Sequence, residues 1–211
     1  MRRGRKKVEN PATARRILAA AEDHFAARGI AGARTEEIAT AAHANKAMLY
    51  YYFGNKRQLH RAVLENLFRE LRKGVFQARR AGTAGQRLES LVSGYFDFLG
   101  EHRNYPRLVQ REAMGATKNV TWVVRQFLRP FHKVMVRTIE DGIASGEFRR
   151  VDPDHTVFSI LGMTMSYFAA APILSKVARR DLLEPGALEQ RRRALLDFLN
   201  HGLRRGRARA R

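Results

Sequence analysis

The sequence predicts an all-α protein, on three observations. No stretch of the chain alternates apolar with polar residues as a half-buried strand does, whereas apolar residues three and four apart recur along most of its length. Helix-starting and helix-ending residues punctuate those stretches at short intervals. With 45% hydrophobic residues, 12 Phe and only 6 Pro in 211 residues, the chain also carries enough apolar surface to bury a core. That length suits one ordinary domain or a small module joined to a larger one.

The first helix has a clear start. Asn10 is placed to cap, Pro11 takes the first helical position, and Ala14, Ile17, Leu18, Ala21 and Phe25 form one apolar stripe that Gly29 ends. A short helix over about Thr35–Ala42 turns Ile38 and Ala39 inward, and a second, about Lys46–Tyr52, follows after a very short linker with Asn45 as its cap. Gly54 and Asn55 break the chain, and a longer helix from Lys56 towards Arg72 lines up Leu59, Val63, Leu67 and Leu71. Ala81–Gln86 is a linker by composition. Helices are then expected over about Arg87–His102, Pro106–Met114, Asn119–Ser145, Pro153–Ala171 and Gly186–Leu203, the third of these kinked or split at Pro130. The chain divides by this pattern into a basic arm (1–9), a compact three-helix module (10–55), a larger helical region (56–203) and a basic tail (204–211).

Composition narrows the function. Lys and Arg number 40 against 20 Asp and Glu, a formal net charge of +20, which favours a polyanionic partner such as nucleic acid. Cys is absent, which excludes a disulfide scaffold, a thiolate metal site and a cysteine nucleophile. The seven His are isolated, with no H-E-x-x-H among them, and neither G-x-S-x-G nor a phosphate-binding G-x-x-x-x-G-K occurs. No metal, cofactor or enzymatic chemistry is therefore expected. The start of the chain is basic but leads into no apolar run, so the cytoplasm is the default compartment. Thr156–Ser175 carries no charge and is long enough to span a bilayer, but its Thr, Ser, Gly and Pro content suits a helix buried on several sides in a protein core.

Two short helices joined by three or four residues have helix-turn-helix spacing, in which the second helix enters the major groove. The chemistry of that second helix strengthens the reading. Leu49 and Phe53 face inward, which leaves Lys46, Ala47, Met48, Tyr50, Tyr51 and Tyr52 outside, and aromatics beside a cation suit phosphate and base contacts.

The run from Ile38 to Lys56, I-A-T-A-A-H-A-N-K-A-M-L-Y-Y-Y-F-G-N-K, followed by Leu59 and preceded by Arg16–Ala21, Phe25 and Gly29, resembles the signature of TetR-type transcriptional regulators over residues 11–60. Two positions depart from that pattern. His43 stands where the family usually has Gly in the turn, and His tolerates a left-handed turn better than a β-branched residue does. Arg34 stands where a hydroxyl is usual, which moves the expected cap to Thr35.

The resemblance implies a homodimer; the Thr156–Ala171 helix and the Leu188, Leu195, Leu199 stripe are expected to pair with their copies in a two-fold four-helix interface, so the chain reads as a repressor of transcription on a near-palindromic operator in double-stranded DNA. The resemblance also implies a helical C-terminal domain that dimerises and binds a small effector. Carried over by position, it makes Lys46, Ala47, Met48 and Tyr51 candidates for base edges and Thr35, Asn45, Tyr50, Tyr52 and Lys56 candidates for phosphate. In the larger region, Tyr95, Leu99, Phe127, Met163 and Tyr167 are candidate effector lining. Glu112, four residues after Leu108 and so on or beside an apolar face, is either a surface partner of Arg107 or Arg111 or a polar fixture of that pocket. Arg191–Arg193 reads as a solvated face. The rival reading of the charge is a sequence-indifferent architectural protein, because residues 1–60 hold only 12 basic against 5 acidic residues, leaving most of the excess outside the reading module.

Overall fold

A computed structural model describes residues 11–76, 82–114 and 118–204. The expected basic arm, Asn10, Ala81 and all of the basic tail but Arg204 lie outside the described residues. In chain order the helices are α1 (Pro11–Gly32), α2 (Thr35–Ala41), α3 (Lys46–Phe53), α4 (Lys56–Phe76), α5 (Ala84–Glu101), α6 (Tyr105–Met114), α7 (Lys118–Val123), α8 (Arg129–Ala144), α9 (Pro153–Ala178) and α10 (Pro185–Leu203), with a π-helical turn at Val124–Leu128. Among the described residues the only β-pairing is an isolated Phe148–Arg204 bridge. The protein is all-α.

The chain forms two compact units, Met1–Phe68 with Arg107–Asn119, and Arg69–Pro106 with Val120–Arg211, so α4 and α6 each contribute residues to both. In the first unit α1, α2 and α3 pack on one another around Ile17, Ala21, Phe25, Ile38, Ala39 and Leu49. The stripe of α4 joins them, with Leu59, Val63 and Leu67 buried. Gly29 has φ 66° and ψ 177°, so α1 changes direction there and continues to Gly32 instead of stopping.

In the second unit α5 packs on α8, α9 and α10. Its core holds Leu88, Val92, Phe96 and Leu99 of α5, Phe131, Met135 and Ile139 of α8, Val157, Ile160 and Phe168 of α9, and Leu195 and Leu199 of α10. The α8–α9 connection folds Phe148 onto Gly142, where any β-carbon would overlap the Phe148 ring.

Several expected boundaries need correcting, each for a local reason. The Ala81–Gln86 linker is too long, because Thr83 accepts from Gln86 N while the Gln86 side chain accepts from Thr83 N, a capping box that starts α5 at Ala84. Helix α9 runs through Pro172 to Ala178 and ends where Arg179 turns left-handed at φ 53°. Proline removes one donor and crowds the carbonyl four residues back, yet this helix absorbs that cost. Pro130 stands in the first turn of α8, just after the π-helical turn, and Val123, Leu128 and Arg129 keep helical φ and ψ, so the backbone widens there without breaking.

Arg191 and Arg192 are not a solvated face. The Arg191 guanidinium lies 5.1 Å from the Tyr167 ring centre, and Arg192 lies over Phe96 while pairing with Asp97 at 2.7 Å. Nor is α9 buried on several sides. Although it has the length and hydropathy to cross a membrane, one flank packs into the second unit through Val157, Ile160, Thr164 and Phe168, and the other leaves Phe158, Ile173 and Val177 exposed.

Candidate nucleic-acid interface

The α2–α3 pair is built by its turn. Ala42 N and His43 N donate to Ile38 O and Thr40 O, both at 3.0 Å, and Ala44 N donates to Ala39 O at 2.9 Å, so the chain reverses immediately after α2. His43 takes the left-handed conformation this reversal requires, at φ 49°. The Nε of Arg16 donates to Ala42 O at 3.0 Å and braces the turn from α1. Asn45 then caps α3, its side-chain oxygen accepting from Met48 N at 2.7 Å. Gly54 closes α3 at φ 78°, and the Asn55 side chain accepts from Gln58 N at 2.9 Å to start α4.

Leu49, fully buried, fixes which face of α3 looks outward. On that outward face lie Asn45, Lys46 and Ala47, with Tyr50 at 39% and Tyr51 at 49% exposure, while Met48, Tyr52 and Phe53 are half-buried. The aromatic rings are ordered by contact: Tyr52 meets Tyr51 edge-on at 5.2 Å.

Thr35 is the first residue of α2 but not its cap, which corrects the expectation. The N-cap is Arg34, in an extended conformation with no side-chain capping bond, and the Thr35 hydroxyl is buried and committed elsewhere. It lies 3.3 Å from the Tyr50 hydroxyl and donates to the Glu36 carboxylate at 3.3 Å. Lys46 pairs with that same carboxylate and lies 5.8 Å from the Tyr50 ring centre. This hydrogen bond holds the Lys46 ammonium above its ordinary pKa and the Glu36 carboxyl below its own. Thr35, Glu36, Lys46 and Tyr50 thus form one cluster joining the starts of α2 and α3. Lys56 is partly committed as well, donating to Ala31 O at 3.2 Å and Ala33 O at 3.1 Å.

Behind α2 and α3, Glu112 of α6 is buried, not at the surface, and faces a histidine. The His60 Nε2 stands 3.4 Å from Glu112 Oε1. Arg111 instead donates to Ala26 O at 3.0 Å and Ala27 O at 2.7 Å, carbonyls of α1 just before its bend at Gly29. His60, Arg111 and Glu112 line a cavity of about 320 Å³ with Phe25, Ile30 and Leu108, all in the first unit. The other candidate effector residues belong to the second unit. Tyr95 and Leu99 are buried core, and burial pushes the Tyr95 phenol up. Tyr167 donates to Leu182 O at 2.7 Å, Phe127 meets Trp122 edge-on at 5.2 Å, and Met163 lines a cavity of about 290 Å³ with His155, Ser159 and Phe198.

Sequence reasoning missed Glu36 and His60. For Glu36 the available signal was an acid in the first turn of the helix that precedes the expected recognition helix; for His60 it was a histidine next to Leu59 on the buried side of α4.

Comparison with known proteins agrees with this geometry. Residues 17–63 match the family described as bacterial regulatory proteins, tetR family, and residues 85–199, more than half of the chain, match the tetracyclin repressor-like C-terminal domain. The HTH-type transcriptional repressor NicS of Pseudomonas putida is 28% identical over 193 residues, 90% of this chain and 91% of NicS. The HTH-type transcriptional regulator RutR of Escherichia coli is 29% identical over 165 residues, 76% of each chain. Among solved structures, AibR in complex with isovaleryl coenzyme A and operator DNA shares the fold at a TM-score of 0.72 and 19% identity, over 88% of this chain and 97% of AibR. The chain belongs to the TetR family of helix-turn-helix, DNA-binding transcriptional regulators, which are not enzymes.

Proposed function

We propose that this regulator is a homodimeric repressor that reads a near-palindromic operator through α3 and is released by a small molecule. The observation that carries the reading is the α3 surface, where a capped helix start presents Asn45, Lys46, Ala47, Tyr50 and Tyr51 outward from a buried Leu49 anchor. A full-length relative named as a repressor supports repression. The test is a salt titration of binding to the regulator's own upstream region and to a scrambled duplex. A reader of base edges keeps an affinity ratio of about 10³ or more, whereas an architectural protein loses both affinities together.

The dimer would form on the outer flanks of α9 and α10. The Leu188, Leu195, Leu199 stripe of α10 faces its own unit and not a partner: Leu195 and Leu199 are buried and Leu188 is half-buried, because α10 packs on α5. Exposed instead are Phe158, Ile173, Leu174 and Val177 on α9 and Phe198 on α10. Between the first two, Gly162 sits in mid-helix with nothing within 4 Å of where its β-carbon would be. Glycine there costs about 1 kcal/mol against alanine, and no neighbour in its own chain requires it. A second helix approaching closely explains it. Gly162→Leu combined with Phe198→Asp is expected to give monomers at micromolar concentration in sedimentation, with the melting temperature little changed; an intact dimer would move the interface elsewhere.

For the effector we place the site in the second unit, with Tyr95, Leu99, Phe127, Met163 and Tyr167 as its residues. An isovaleryl coenzyme A complex of a protein with this fold supports a small organic ligand, of which this chain's own class is left to a library screen. Glu112 acts differently in this reading: its partner is His60, so it fixes α6 to α4 inside the first unit. Release would follow from a shift of α4, continuous from Lys56 to Phe76, that changes the spacing of two recognition helices.

A further inference from the structure

We propose that Glu36 is a base-selecting residue. Together with Lys46 it reads the major-groove edge of one G·C pair, the carboxylate accepting from the cytosine N4 amino group while the ammonium donates to guanine. This rests on α3 being the recognition helix.

The inference starts from a placement that charge alone disfavours. The chain carries a net +20 and its partner is a polyanion, yet an acid stands beside the first-turn lysine of the reading helix. A carboxylate there repels phosphate and lowers indiscriminate affinity. Stabilisation of α2 through its dipole is a weak account, since Glu37 also occupies that first turn and pairs with Arg28. Glu36 differs in direction. It reaches across to α3, takes Lys46, and is held in place by the Thr35 hydroxyl at 3.3 Å, itself in contact with Tyr50.

Both members of the pair are open to a ligand, at 60% side-chain exposure for Glu36 and 49% for Lys46. The pair therefore presents an acceptor directly beside a donor, fixed in relative position by a third group. A G·C pair offers the complement on its major-groove edge: guanine N7 and O6 accept, and the adjacent cytosine N4 donates. An A·T pair is a poorer match, because adenine presents the ammonium with the single acceptor N7 where guanine presents both N7 and O6. Lysine to guanine and glutamate to cytosine are each established pairings of side chain and base.

The experiment selects full-length wild type, E36Q and K46A proteins on a random duplex library and sequences what each retains, with thermal melts of all three. The expected result is a wild-type motif containing a G·C position at which discrimination against A·T falls about tenfold in E36Q, the rest of the motif being kept. E36Q should also bind scrambled DNA more tightly, and K46A should lose preference at the same position. An unchanged motif in E36Q overturns the proposal, as does loss of the whole motif at an unchanged melting temperature, which would make Glu36 a positioning residue for α3. If the wild type enriches no motif at all, the operator-reading function fails first, and this assignment with it.

Discussion

Leucine in place of His60 is expected to lower the unfolding free energy by about 3 kcal/mol, read from urea denaturation at neutral pH. The imidazole is 2% exposed and Glu112 is 7% exposed, with Nε2 and Oε1 3.4 Å apart and the Phe25 ring edge-on at 4.8 Å. Leucine fills the space but takes away a polar group that the buried Glu112 carboxyl faces, and removing one member of a buried polar pair costs more than the pair contributes. The double variant His60→Leu, Glu112→Leu should therefore recover most of the loss; equal destabilisation by the single and the double would show that packing, not the pair, matters. The pair also sets a pH dependence. Burial holds His60 below its ordinary 6.5, outweighing the upward pull of Glu112. Below about pH 6.5 the unfolded chain accordingly takes up a proton that the folded chain refuses, and stability falls as the pH drops through that value towards the lower folded pKa. The His60→Leu protein should have a flatter profile over the same window.

Alanine at Lys46 is expected to cost specific operator affinity ~1 to 3 kcal/mol while scrambled DNA is bound almost as before. Lys46 is the first residue of α3, half of its side chain is exposed, and its ammonium is directed by Glu36 instead of sweeping freely over the backbone phosphates. Truncation thus removes a positioned donor. A lysine acting on phosphate alone would give equal losses on both duplexes and a shallower salt dependence, and that outcome would remove Lys46 from base reading.

The reading head was legible in the sequence because each of its devices is local. Asn45 caps from its own residue, Gly54 and Asn55 break the chain where they stand, and Leu49 is inward by spacing alone; even the unusual His43 could be placed from its conformational tolerance. What the sequence concealed depends on partners far along the chain. Glu36 finds Lys46 across the turn, His60 finds Glu112 from another helix, and the Leu195 and Leu199 stripe could be given a partner only once α5 was seen to lie on it. The same holds for Arg191 and Arg192, whose charge suggests solvent until aromatic rings are found beneath them. Proline misled in one direction: Pro172 suggested an ending that the α9 backbone overrides.

The π-helical turn at Val124–Leu128 has a spectroscopic consequence. Bonds from each residue to the fifth along bring positions five apart into line, which an α-helix does not do. Trp122 and Phe127 are such a pair, and their rings meet edge-on at 5.2 Å. Trp122 is the chain's one tryptophan. The emission of the unlabelled protein therefore comes from a single indole whose nearest described ring is set by the winding of that one turn, so a change in winding there would alter the fluorescence without any engineered probe.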